Sequence, residues 1–261
     1  MAFKLQYIDH VPQEQNAYAE YGSHCHSLLE RWAKGELLSF ELADRYEAEY
    51  DEAVRHYFPP FPQGLAGKYF EEGKQYFLSF DGFGEDMEIL SVEERFELDI
   101  RGNPFVGIAD LVLRDRQSGG IIVIDHKSKS MQSMKKELFA NTRQLYTYAA
   151  YVKERFGEYP SMLRFNMFRY GTFIDEPFSM ERYEETMDWI DQTIRAIKEE
   201  KDWLVSSSGY FCRFICSTRL HCPVGEEIIH SGKRSNPLLG LEPHEKQGWN
   251  LEKTATSLLV K

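Results

Sequence analysis

The amino-acid sequence predicts an α/β fold: a mixed β-sheet with a three-strand meander and a crossover helix, extended by helices at both ends. Three observations carry this. Residues 87–127 switch to two-residue alternation, broken by turn-forming stretches at Gly102-Asn103 and at 115–120. Segments on either side repeat apolar residues at three- and four-residue steps. A helical stretch over 134–157 separates two strand-like stretches, the order that gives a parallel pair with a right-handed crossover.

Residues 1–12 read as irregular or extended, and Pro12 suits a helix start. A helix over 13–34 presents Tyr18, Tyr21, Cys25, Leu28, Leu29 and Trp32 on one face. Ser39 is placed to cap a second helix over 40–57, with Leu42, Tyr46, Tyr50, Val54 and Tyr57 as its stripe. Pro59, Pro60 and Gly64 stop it, and a third helix spans 65–80. Strands at 87–100, 104–113 and 121–127 form the meander. A serine-rich loop leads into the 134–157 helix, which ends near Gly157, and a strand over 161–170 lies beside 121–127. Gly171 turns the chain back into Thr172-Phe173-Ile174, and a helix over 179–205 carries Tyr183, Met187, Ile190, Ile194, Ile197 and Trp203. One domain is expected over 1–223, with a helical part at 13–80, a core at 87–176 and a C-terminal helix and cysteine segment at 179–223. A loosely packed tail is expected over 224–261.

The chemistry concentrates between Gly107 and Tyr148. In a strand, side chains two apart share a face, so Asp125 and Lys127 point together and His126 points away. A turn centred between Gln117 and Ser118 sets Asp110 opposite Asp125, unless a bulge at Gly119-Gly120 shifts the register. Two adjacent carboxylates repel. A hard divalent cation, held by one or two carboxylates with waters and phosphate, relieves that repulsion. Such a cation polarises a phosphoryl oxygen and activates water, and Lys127 can orient that water and neutralise developing negative charge. The plainer alternative is a hairpin whose acids make exposed salt bridges. It leaves unexplained why a hydrophobic strand ends in Asp-His-Lys.

Gly-x-x-Asp at 107–110, an apolar strand ending Asp-x-Lys at 125–127, and a helix with Gln-x-x-x-Tyr at 144–148 together resemble the PD-(D/E)xK nuclease superfamily, in particular its RecB-family exonuclease branch. The resemblance covers residues 20–30 and 90–150, with a further part near 212–222. It implies a restriction-endonuclease-like core and hydrolysis of DNA phosphodiester bonds with Mg²⁺ or Mn²⁺, by an exonuclease of recombination or repair such as a phage could carry. It implies Asp110 and Asp125 as metal ligands in the catalytic centre, Lys127 as the catalytic lysine, and Gln144 and Tyr148 as groups that support the site or touch DNA. The branch carries a Gly-x-x-x-His helix motif, which Gly22 to His26 match, so His26 and the backbone carbonyl of His126 are further candidate ligands. Glu30, four residues after His26, can orient the imidazole or reach the metal, and read alone the two are a surface pair. Glu94 can join the acidic site, although its acidic neighbours suit a solvated face. A non-catalytic DNA-binding or scaffold subunit that keeps the fold is the alternative function, against which the intact Asp110, Asp125 and Lys127 speak.

Cys212, Cys216 and Cys222 lie within eleven residues, and Cys25 stands far upstream. Some RecB-family nucleases hold a [4Fe–4S] cluster with one N-terminal and three C-terminal cysteines, so the resemblance nominates these four. Two departures stand against it: the first spacing is C-x3-C, and Cys25 abuts His26. Thiolates suit iron–sulfur or zinc alike, His221 could complete a zinc set with Cys212, Cys216 and Cys222, and free thiols are the third reading. A metal-sensing or redox protein built on these cysteines is a further functional reading.

The net charge of −11 counts against a broad nucleic-acid-binding surface. Locally the balance reverses: Lys127, Lys129, Lys135, Lys136 and Arg143 gather with Glu137 as the one acid in 127–143, a phosphate-binding rim or a solvated helix start. Lys129 is therefore a candidate for DNA contact. No apolar run of about 18 residues is present, so no membrane span is expected. No signal peptide is evident, and four cysteines without one suit reduced thiols, so a cytoplasmic location is expected. The sequence has no P-loop, so helicase activity would come from a partner polypeptide; DNA and a recombination or helicase protein are the expected partners.

Overall fold

The computed structural model describes residues 1–205 and 209–230. At its centre is a five-stranded sheet in the order β1-β2-β3-β4-β5: β1 (Met87–Ile100), β2 (Asn103–Asp115), β3 (Ile121–His126), β4 (Met162–Met167) and β5 (Thr172–Pro177). The first three strands form the expected antiparallel meander, β4 runs parallel to β3, and β5 returns antiparallel. β3 is buried at every residue because both of its faces are covered. Ile122 and Ile124 pack toward α1 (Ala17–Ala33), α2 (Leu42–Ala53) and α3 (Leu65–Ser79). On the opposite face Ile121 and Val123 pack toward α5 (Leu138–Phe156) and α6 (Met180–Glu199). The short α4 (Met131–Lys136) links β3 to α5, and α7 (Gly209–Phe214) and α8 (Pro223–His230) follow α6.

Several boundaries differ from expectation, each for a local reason. Residues Lys4–Ile8 form a helical turn where irregular chain is expected. α1 begins after Asn16, whose side chain accepts the N–H groups of Tyr18 and Ala19. Ser39 does not cap α2, because its hydroxyl accepts the indole N–H of Trp32 and a 3₁₀ turn precedes the helix. α2 ends at Ala53, since the Glu20 carboxylate takes the backbone N–H groups of Arg55 and His56. Tyr57 therefore leaves the expected apolar stripe and is 97% exposed. Ser130 caps α4, and Glu137 breaks the expected 134–157 helix in two. α6 stops at Glu199, and Trp203 instead stacks on Phe3 at 5.7 Å. Pro223–His230 is helical where a loose tail is expected, and 231–261 lie outside the described residues. Among the described residues no helix is long and apolar enough to cross a membrane.

One irregularity positions the site. On β2, Ala109 and Val112 join the core under α5 and α6, while Leu111 and Leu113 join the core under α1–α3. Regular alternation would put Ala109 and Leu111 on one face. β1 slips at the same level, with Phe96 and Leu98 on one side and Val92 on the other. Glu93 takes up the slip with a φ of 46°, unusual for a residue with a side chain. It lies between the pairs Val92↔Leu111 and Glu94↔Ala109, level with Asp110.

Candidate metal centre

β2 and β3 pair from Arg114↔Ile121 to Leu111↔Ile124 without a shift, so Asp110 and Asp125 occupy the next positions of the register. Both carboxylates are buried, at 2% and 1% exposure. The strand period puts Lys127 back beside Asp125, with Nζ 2.7 Å from Oδ2. Lys127 also donates to Gln144 Oε1 at 2.7 Å, and Gln144 Nε2 donates to the Tyr148 hydroxyl at 2.6 Å. Burial first, then the charges of Asp125 and Asp110, push the Tyr148 phenol well above its usual pKa, so it keeps its proton. Gln144 and Tyr148, one turn apart on α5, thus hold the lysine.

The side chain of His126 points to the opposite face, against Asn166 at 3.0 Å and the Phe83 ring at 5.9 Å. Its backbone stays in the site. The His126 N–H donates to Asp110 Oδ2 at 2.9 Å, and the His126 carbonyl lies 2.9 Å from His26 Nε2. A carbonyl only accepts, so His26 Nε2 carries the proton, and in the neutral ring Nδ1 is a lone pair. That nitrogen faces Asp110 Oδ2 at 3.4 Å and Glu93 Oε1 at 3.8 Å. One ligand atom each from His26, Glu93 and Asp110 lies within 4.8 Å of the others. Three acceptors converging in this way are an arrangement that a cation between them satisfies. One imidazole nitrogen with two carboxylate oxygens suits a Mn²⁺ or Mg²⁺ ion.

Gly22 and His26 share a face of α1, and Gly22 is where the helix passes the strand end: a Cβ there would stand 3.4 Å from Ser128 Oγ. The buried Arg169 braces the same turn, donating to the Ser128 carbonyl at 3.0 Å and to Glu72 at 2.6 Å.

Other expectations fare differently. Glu93 joins the group although sequence reasoning passed over it, whereas Glu94 turns to Arg155 at 3.5 Å. Glu30 does not orient His26; it pairs with Lys34 at 2.6 Å. Lys129 pairs with Glu137 at 2.6 Å and reaches Asn141 at 3.3 Å. The zinc alternative of Cys212, Cys216, Cys222 and His221 is not gathered: a zinc ion with thiolates at about 2.3 Å draws its ligand atoms within about 4 Å of each other, and among the described residues no such group of these four occurs. Cys25 is fully buried in the aromatic core of α1–α3, where burial pushes its thiol pKa up and it meets Tyr21. The C-terminal cysteine segment does reach the start of α1, since the Asn16 amide donates to the Ile215 carbonyl at 3.1 Å.

The model of the PD-(D/E)XK nuclease superfamily matches residues 1–223. The chain belongs to the PD-(D/E)XK nuclease superfamily. Members are usually nucleases and typically use divalent metal ions, and the mixed five-stranded sheet with flanking helices is this superfamily's restriction-endonuclease-like α/β fold. Among solved structures, one described as "Crystal structure of SSO0001" is similar at 18% identity over 85% of this PD-(D/E)XK chain and 93% of its own, with a TM-score of 0.34, a likeness too distant to carry an argument. No curated protein matches the chain.

Proposed function

We propose that this PD-(D/E)XK protein is a metal-dependent DNA exonuclease acting in recombination or repair. The convergence of His26 Nδ1, Glu93 and Asp110 beside the Asp125–Lys127 pair carries the reading. His26, Glu93 and Asp110 would hold the ion, with Asp125 completing the acidic wall from the adjoining strand. Bound Mg²⁺ or Mn²⁺ supplies Lewis acidity at the scissile phosphate and a water of lowered pKa. Lys127, held by Gln144, presents an ammonium to the attacking water and to charge developing on the phosphate. Tyr148 sets the Gln144 amide so that its oxygen faces the lysine. A scaffold that had lost catalysis would have no use for a buried acid pair with its lysine in place. The preference for ends rests on the likeness of the Gly107–Asp110, Asp125–Lys127 and Gln144–Tyr148 motifs to RecB-family exonucleases.

The test is a time course on end-labelled linear DNA and on closed circular DNA, with Mg²⁺, Mn²⁺ or EDTA. The expected result is metal-dependent shortening of linear molecules and intact circles. Nicked circles would replace the exonuclease reading by an endonuclease, and inertness with both metals would remove nuclease function.

A further inference from the structure

Beside Gln144 on α5, two arginines share one aromatic ring. The guanidinium carbon of Arg182 lies 3.8 Å from the centre of the Phe139 ring, and that of Arg143 lies 5.3 Å from the same centre. Arg143 also covers Trp189 at 4.2 Å. Trp189 is a buried floor, whereas Phe139 is 54% exposed, so the two cations stand where the fold opens to solvent. Arg182 is fixed by donating to the buried Thr142 hydroxyl at 3.0 Å.

The charges around them do not balance. Among the described residues Glu185, an exposed residue 3.9 Å from Arg182, is the acid that pairs with Arg182 and also acts on Arg143. Arg143 makes no ion pair among the described residues. Burial, and after it the neighbouring Arg182 charge, hold the Arg143 guanidinium below its usual pKa. Two like charges pinned to one ring cost energy that an added anion would recover. Guanidinium forks match phosphate oxygens in two-pronged hydrogen bonds; stacking on Phe139 and Trp189 leaves the ring-plane edge of Arg143 for that contact, while Arg182, one of whose N–H groups is held by Thr142, adds its charge and its remaining donors.

Placement gives the anion its identity. Arg143 is the residue before Gln144, about 3.8 Å away along the backbone, and Gln144 holds Lys127. Neighbouring helix positions point about 100° apart, so the pair stands on an adjoining side of the helix that supports Lys127, where a strand whose scissile phosphate sits at Lys127 can continue.

We propose that Arg143 and Arg182 form a subsite for one internal backbone phosphate of the nucleic-acid strand being cleaved; this deepens the nuclease reading and rests on it. The subsite fixes the register of the strand on Phe139 and carries no base specificity.

The test uses equilibrium binding of a labelled single-stranded oligonucleotide by the full chain, in Ca²⁺ to prevent turnover, across a salt series. Compared with wild type, the double variant R143Q/R182Q should bind with a log K versus log salt slope shallower by about 0.7, the value for one phosphate contact on a single strand. The charge-retaining R143K/R182K should keep the wild-type slope, which separates charge from packing. A scan of single methylphosphonate substitutions should find one internal position that weakens wild-type binding several-fold and leaves R143Q/R182Q unaffected. An unchanged slope in R143Q/R182Q, or identical methylphosphonate profiles for the two proteins, would overturn the subsite. Wild-type cleavage assayed separately keeps the two proposals apart. Cleavage without an arginine-dependent slope removes the subsite alone, and an arginine-dependent slope in a protein that cleaves nothing removes the nuclease reading alone.

Discussion

His26 and His126 fix one another through ring and backbone: His26 Nε2 donates to the His126 carbonyl at 2.9 Å, while the His126 N–H donates to Asp110 at 2.9 Å. One residue of β3 thus orients both an imidazole from α1 and a carboxylate from β2. A hydrogen bond to one ring nitrogen decides which nitrogen is left to bind metal, and here it leaves Nδ1 pointing at Glu93 and Asp110.

That arrangement predicts the ligand set. His26→Ala and Glu93→Gln should each weaken Mn²⁺ binding, measured by calorimetry, by more than the roughly 10- to 100-fold seen when an outer-shell partner is lost. Asp110→Asn and Asp125→Asn should abolish Mn²⁺-dependent cleavage with the fold intact. Wild-type Mn²⁺ affinity in Glu93→Gln would take that carboxylate out of the centre.

Lys127 is predicted to act on turnover and not on the ion. Lys127→Ala should keep Mn²⁺ and DNA affinity and lose about 100- to 1000-fold in kcat, the scale of a lost electrostatic stabiliser. Gln144→Ala acts through the lysine, so it should lower kcat by a smaller factor with KM and Mn²⁺ affinity unchanged. A Lys127→Ala protein that binds Mn²⁺ as poorly as Asp110→Asn would show that the lysine mainly balances the acids' charge.

A pH prediction comes from the far side of α1. His24 is buried with Nε2 3.1 Å from the Tyr46 carbonyl, and burial, only partly offset by that bond, lowers its pKa. The unfolded chain then binds the proton more readily than the folded one. Stability should be fully present above the unfolded value of about 6.5 and should fall as pH drops below it. Urea midpoints at pH 7.5 and 5.5 should diverge less in His24→Gln than in wild type; equal divergence would assign the acid sensitivity to other groups.

How much of this was legible in the sequence depends on what each residue answers to. Asp125, His126 and Lys127 follow the strand period, and β3 is regular, so their faces could be read directly. The hairpin register was legible because no bulge intervenes between Arg114↔Ile121 and Leu111↔Ile124. Glu93 was not legible, because it reaches the site through a left-handed residue that breaks the alternation on which the reading relied. Its signal was the weak, inconsistent alternation of 87–94 beside the clean pattern of 96–100. Glu30 misled because helix spacing gives neighbours without giving preference, and Lys34 competes for it at the same four-residue step. The Arg143–Arg182 pair joins positions 39 residues apart in sequence (182 − 143) on two helices, so only the packing of α5 on α6 reveals it.

Gly107, the first residue of the Gly-x-x-Asp motif, has a packing reason that leads back to Lys127. A Cβ at this position would lie 2.4 Å from Phe96 Cζ, directly across the β1–β2 pair. Phe96 has nowhere to retreat: it stacks on Tyr151 at 4.7 Å and meets the edge of Tyr148 at 6.0 Å. Displacing it presses on Tyr148, whose hydroxyl sets Gln144 and through it Lys127. Gly107→Ala should therefore destabilise by about 1–3 kcal/mol, as overpacked cores do, and should also lower kcat. Gly67 on α3 is the control, because a Cβ there meets nothing within 4 Å. Gly67→Ala should stabilise by up to about 1 kcal/mol through helix propensity, with kcat unchanged. Adding Phe96→Leu to Gly107→Ala makes room for the methyl, so the double variant should recover part of both losses, a coupling expected only of residues in contact. Urea denaturation and kcat on linear DNA measure the two effects, and strictly additive losses in the double variant would show that Phe96 is not what the missing Cβ accommodates.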